Sequence, residues 1–153
     1  MGQDSRGYAL SISEHLFRLT TESVRLHSNE TRRFQTLAKL VNARANNRSK
    51  MDAHDPATMR DHLVTIPTKG NIRINLSLTR SSADSLREAK QRLSKELGSN
   101  LTFGDTLSIL LFDYVVEQKA TNVLQKLRLS SAHNDEDQAD VSGRTGGNVL
   151  PFR

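Results

Sequence analysis

Residues Ile72–Leu78 read Ile-Arg-Ile-Asn-Leu-Ser-Leu, an unbroken alternation of apolar and polar side chains. A period of two belongs to an extended strand. It puts Ile72, Ile74, Leu76 and Leu78 on one face, and Arg73, Asn75 and Ser77 on the other. From about Ser81, Ala83, Leu86, Ala89, Leu93 and Leu97 recur at helical spacing, and Gly98 is the residue type that ends helices. Thr102 then caps a second helix, with Asp105 three positions on completing a variant of the capping box. From Leu107 to Val116 only Ser108 and Asp113 are polar, so this helix has to be covered on several sides.

One strand and two helices, roughly 45 residues, are too few to cover such a helix alone. A lone strand also leaves its N–H and C=O groups unpaired. A second copy meets both needs by pairing its strand antiparallel across a twofold axis. The resulting ribbon fits the major groove of B-DNA, where Arg bonds guanine bidentately, Asn does the same to adenine, and a Ser hydroxyl is permissive. An ordinary solvated strand face is the alternative reading of the polar trio.

On these residues, Ile72 to about Val116 resembles the ribbon-helix-helix family, the β-ribbon DNA readers that include MetJ and Arc. The resemblance covers about a third of the chain, and Thr79 stands where many members have a proline. It implies a mainly α fold with one strand and two helices per chain in an intertwined homodimer. The dimer core would take Ile72, Ile74, Leu76, Leu78, Leu86, Leu93, Leu107, Leu110, Leu111 and Tyr114. Arg73, Asn75 and Ser77 would contact bases, and backbone amides near Thr102 and Phe103 would hold a phosphate, as helix N-termini favour anions. Lys69, Asn71 and Arg80 would contact the flanking DNA backbone. The implied role is a homodimeric, sequence-specific transcriptional regulator of a bacterium or mobile element, assembling as a dimer or as a tetramer on double-stranded DNA. The same fold serves plasmid partition proteins, accessory proteins at conjugative transfer origins, and antitoxins.

Two readings compete. Leu63-Val64-Thr65-Ile66 can form a second strand in an intramolecular hairpin with Ile72–Leu78, which removes the need for a dimer. Alternatively, the apolar segment 107–129 makes the chain a helical protein–protein adaptor without DNA affinity.

Charge favours a polyanionic partner. The chain carries 22 Lys plus Arg against 17 Asp plus Glu, net +5. Residues 1–50 hold nine basic and four acidic side chains and residues 71–101 six and three, so positive charge gathers on the N-terminal arm and on the strand with its first helix. The absence of cysteine excludes disulfides and thiolate metal sites. No apolar run long enough for a signal peptide or membrane span is seen, so a cytoplasmic protein is expected. His15, His27, His54, His62 and His133 are scattered, with no zinc spacing and no nucleophile triad. They read as surface residues, and no catalytic activity, metal or cofactor is expected.

Upstream, helical patterns run over Ser13–Leu26, with Ile12, Leu16, Leu19 and Val24 inward, and over Glu30–Arg44, with Phe34, Leu37, Leu40 and Val41 inward. Arg32, Arg33, Lys39, Arg44, Arg48 and Lys50 form a basic series that either grips phosphates or keeps a surface helix soluble. The polar run Asn42–Arg60, with Asn46-Asn47 and Asp55-Pro56, reads as connecting chain. Beyond Val116, Ala120, Val123, Leu124 and Leu127 extend the helical spacing and suit further dimer or tetramer contact. The chain is thus expected to divide into a basic helical extension (1–50), a linker or arm (51–70), the ribbon-helix-helix domain with a helical extension (71–129), and a disordered tail (130–153). The N-terminal helices or the tail, which closes on Val149-Leu150-Pro151-Phe152, would offer a contact for a protein partner.

Overall fold

A computed structural model describes residues 5–46 and 55–143, with side chains through Leu129. It divides into two units, Met1–Val116 and Glu117–Arg153. The described residues are mainly helical, with one small antiparallel sheet. In order come β1 (Ser5–Ile12), α1 (Glu14–Thr31), α2 (Leu37–Ala45), α3 (Pro56–Thr65), β2 (Ile72–Thr79), α4 (Arg80–Leu97) and α5 (Phe103–Gly143).

The alternating stretch forms β2, but its partner is β1 of the same chain. The two pair antiparallel along their whole length, from Ser5 opposite Thr79 to Ile12 opposite Ile72. The strand expected from a second copy is therefore supplied by residues 5–12, inside the segment expected to be helical. Tyr8, Leu10 and Ile12 point the same way as their opposites Leu76, Ile74 and Ile72, and Ile12, Leu76 and Leu78 are fully buried. The rival hairpin is not formed, because Leu63–Thr65 lie in α3.

The helix signals downstream of β2 appear as the sequence implied. Thr79 caps α4, its hydroxyl accepting from Ser82 N–H at 3.3 Å. Ala83, Leu86, Ala89, Leu93 and Leu97 are all buried, and Gly98 closes the helix at φ 67°, a conformation glycine adopts without Cβ strain. At the start of α5, Asp105 N–H donates to Thr102 Oγ1 and Thr102 N–H donates to Asp105 Oδ2, the reciprocal capping box.

Upstream, the outcome differs. The helix that opens at Ser13 runs on to Thr31, Arg32 turns the chain at φ 56°, and α2 starts only at Leu37, capped by Thr36. Phe34, expected inward, lies in the intervening loop and is 99% exposed. Residues 56–65, within the stretch expected to be a linker, form a helix that buries Met59 and His62. The loop after it is laced to the start of α1. Ser13 Oγ donates to Pro67 O, Ser13 N–H donates to Thr68 O at 3.0 Å, and Gly70 lies so close that an added Cβ would collide with the Ser13 backbone.

One core joins all these elements. Leu40, Val41, Ala45 and Met59 pack with Leu76, Leu78, Leu86, Leu93, Leu107, Leu110, Leu111 and Tyr114, so most of the residues assigned to a dimer core are buried within one chain. Ile72 and Ile74 are half-buried. Both polar residues of the apolar helix find partners in the upstream half. Arg44 Nη2 donates to Asp113 Oδ2 at 2.7 Å, with the two side chains 11% and 7% exposed. His62 Nε2 shares a 2.7 Å hydrogen bond with Ser108 Oγ, and its ring stacks on Phe112. Arg44 is thus a core ion-pair partner and not a phosphate-gripping surface cation, and His62 is not a surface histidine. Arg48, Lys50 and His54 lie outside the described residues.

Burial lowers the His62 pKa, and its hydrogen bond with Ser108 opposes this. The unfolded chain then takes up a proton more readily than the folded one, so stability is present above the ordinary imidazole value of about 6.5 and is lost as pH falls below it. Urea midpoints should fall between pH 7.5 and pH 5 more for wild type than for His62→Gln; equal falls would show that His62 is not responsible.

The two halves of the unit repeat one plan. Ser13 and Thr79 cap the first helices, Arg32 and Gly98 end them in left-handed turns, and Thr36 and Thr102 cap the second helices; each pair stands 66 residues apart. The same offset carries buried Leu16, Thr20 and Ser23 onto buried Ser82, Leu86 and Ala89, and Leu40, Val41 and Ala45 onto Thr106, Leu107 and Leu111. It also relates Ala9 to Asn75, which face each other directly, so a local twofold passes between them.

In the second unit α5 continues to Gly143, where disorder was expected from residue 130. Between Gly104 and Gly143 the chain has neither Gly nor Pro to interrupt the helix. Residues 144–153, with the closing apolar peptide, lie outside the described residues. Val123, Leu124, Leu127 and Leu129 are more than half exposed.

Candidate nucleic-acid interface

The ribbon turns one face to the core and the other outward. On the outer face Arg73, Asn75 and Ser77 are exposed and stand opposite Ser11, Ala9 and Gly7, which are exposed as well. Neither strand contains an acidic residue, and Arg73 gives the outer face its positive charge, while Arg6 stands opposite Leu78 on the other face. Electrostatically and sterically this face accepts an anionic surface.

Lys69 is exposed and held in place by a bridge between its backbone and Ile12. Asn71 and Arg80 are exposed at the two ends of β2. These three therefore flank Arg73, Asn75 and Ser77 along one stretch of chain.

The start of α5 carries the capping box that the sequence implied, and that box engages an amide expected to hold a phosphate. The Thr102 amide is engaged by the Asp105 carboxylate at 3.0 Å, and Asp105 also accepts from Thr68 Oγ1 at 2.6 Å. The chain's own carboxylate thus takes up one of the amides expected at a phosphate, that of Thr102. Phe103 serves packing, its ring lying 4.2 Å from that of Tyr8 and nearly parallel to it.

Sequence reasoning missed the second strand of the face, Gly7, Ala9 and Ser11. The alternation of Tyr8, Leu10 and Ile12 around them was the available signal. Among the described residues no group of three His, Cys, Asp or Glu is placed to hold a metal ion, and no helix is long and apolar enough to cross a membrane. Comparison with known protein families, with characterised proteins and with solved structures finds no match to this chain.

Proposed function

We propose that this protein binds double-stranded DNA sequence-specifically and regulates transcription, laying its two-stranded ribbon in the major groove. The observation that carries the reading is the outer ribbon face, where Arg73, Asn75 and Ser77 stand exposed beside one another with no carboxylate in either strand. A two-stranded ribbon is of a width that the groove admits, and Arg and Asn are the side chains that bond guanine and adenine bidentately. This is the role that the ribbon-helix-helix resemblance implies. Lys69, Asn71 and Arg80 contact flanking phosphates, a sequence-independent contribution that weakens with salt. Partition, transfer-origin and antitoxin roles use the same contacts, and the genomic position of the selected site separates them.

Arg73→Ala should cost about 1–3 kcal/mol on the preferred site and relax its preference, whereas Lys69→Ala should weaken binding to all sequences alike. Selection from random duplex DNA, followed by titration of the selected and scrambled duplexes, measures both. Equal losses for Arg73→Ala on the two duplexes would remove Arg73 as a base reader. A second reading, contact with another protein, is favoured by the exposed Val123, Leu124, Leu127 and Leu129; on that reading alone, no salt-dependent DNA retention occurs.

A further inference from the structure

The geometry points to an asymmetric DNA target read by a single chain, an inference that rests on the DNA-binding reading above. The local twofold equates Arg73, Asn75 and Ser77 with Gly7, Ala9 and Ser11 through the 66-residue offset. A ribbon built from two identical strands would present two Arg, two Asn and two Ser, and would read the same bases on both sides of its axis. The outer face of this ribbon presents one Arg, one Asn and two Ser. Every outer-face side chain long enough to engage a base edge bidentately belongs to β2, since Arg6 of β1 stands opposite Leu78 on the other face. Across the axis stand an Ala and a Gly, and with Asn75 and Ser77 they line a shallow depression on the same face.

Two further features keep the ribbon asymmetric. Its strands are already paired along their full length within the chain, so a second copy is not needed to complete it. The Thr102–Asp105 pair at the start of α5 has no acidic counterpart at Thr36, where the offset from Asp105 falls on Lys39, whose N–H bonds Thr36 Oγ1. The two ends of the repeat thus differ in charge as well as in base-reading groups. One half of the groove site is read through bases, and the other is met by small side chains and, near α2, by a cation.

The absent half can be restored. A Cβ built on Gly7 meets nothing within 4 Å, and Gly7 has no positive φ, so a long side chain is accommodated there. The experiment compares wild type with the double variant Gly7→Arg, Ala9→Asn by selection from a pool of random duplex DNA, with native mass spectrometry of the full-length protein on the selected duplex. Wild type should yield a motif without twofold symmetry at one chain per duplex. The double variant should yield a motif extended toward a palindrome, which it binds at least about fivefold more tightly than wild type does, the least that one of its two added bidentate contacts contributes. A palindromic wild-type motif carrying two chains, or a double variant that selects the unchanged asymmetric motif, would overturn the inference while leaving DNA binding intact. Retention without any motif, or no retention, would overturn sequence-specific binding itself and this inference with it.

Discussion

Asp113→Ala should destabilise the protein by about 3–5 kcal/mol, because it leaves the Arg44 guanidinium in the core without its carboxylate. The pair is nearly inaccessible, 11% and 7% exposed, and its 2.7 Å contact joins α2 to α5 across 69 residues of sequence. Arg44 also lies 5.2 Å above the ring of Tyr114, whose hydroxyl donates to Glu30 of α1 at 2.9 Å. Asp113 and Tyr114 of α5 are therefore engaged by α2 and α1. An exposed ion pair contributes about 0–1 kcal/mol, so burial accounts for the difference. Replacing both partners, Arg44→Met with Asp113→Leu, should cost far less than either single change, since no desolvated charge remains. Urea denaturation of the three variants decides this; a loss below about 1 kcal/mol for Asp113→Ala would mean that the pair behaves as a surface contact.

That pair also shows where local reading of the sequence ends. The downstream half was legible because its signals are local: the alternation of Ile72–Leu78, the spacing from Ala83 to Leu97, Gly98, and the Thr102–Asp105 box act within a few residues of one another. The need of the 107–116 helix for cover was legible too, from its composition. Which atoms cover it was not. Arg44 is a surface cation by type, and His62 reads as a surface histidine, so their burial follows only from the tertiary partners Asp113 and Ser108. The inward seam of α1 includes Thr20 and Ser23, whose hydroxyls donate to Phe17 O and Leu19 O of their own helix. Buried hydroxyls satisfied in this way weaken the apolar period of α1. The repeat was hidden for the same reason. Its two copies share cap positions and burial while differing in most residues, so Leu16 corresponds to Ser82 and Thr20 to Leu86.

The candidate site divides along the same line. Arg73, Asn75 and Ser77 were found because chemistry and periodicity coincide on one strand. Gly7, Ala9 and Ser11 carry too little chemistry to be noticed, and became part of the face only through register. The amide at Thr102 was read from a general property of helix starts, and that property holds, but Asp105 of the same chain satisfies it.

Leu40→Ala should lower stability by about 2–5 kcal/mol, the range for removing a fully buried leucine side chain. Leu40 lies in α2, inside the segment that the sequence offered as an appended arm, and it is 0% exposed. An arm that merely adjoins a dimeric domain would lose its own local order on this change and leave the unfolding of the remainder unaltered. In the single core described above, Leu40 packs in one cluster with Leu78, Leu86 and Leu107, so its truncation should shift the whole unit's transition as one step. Leu127→Ala provides the contrast, since its side chain is 59% exposed and the change should stay within about 0.5 kcal/mol. Circular dichroism through urea, read beside the Arg44–Tyr114 contact by tyrosine fluorescence, follows both regions at once. Coincident transitions displaced together by Leu40→Ala would establish that the N-terminal half belongs to the body that holds the ribbon, whereas an early transition confined to the tyrosine signal would restore the arm.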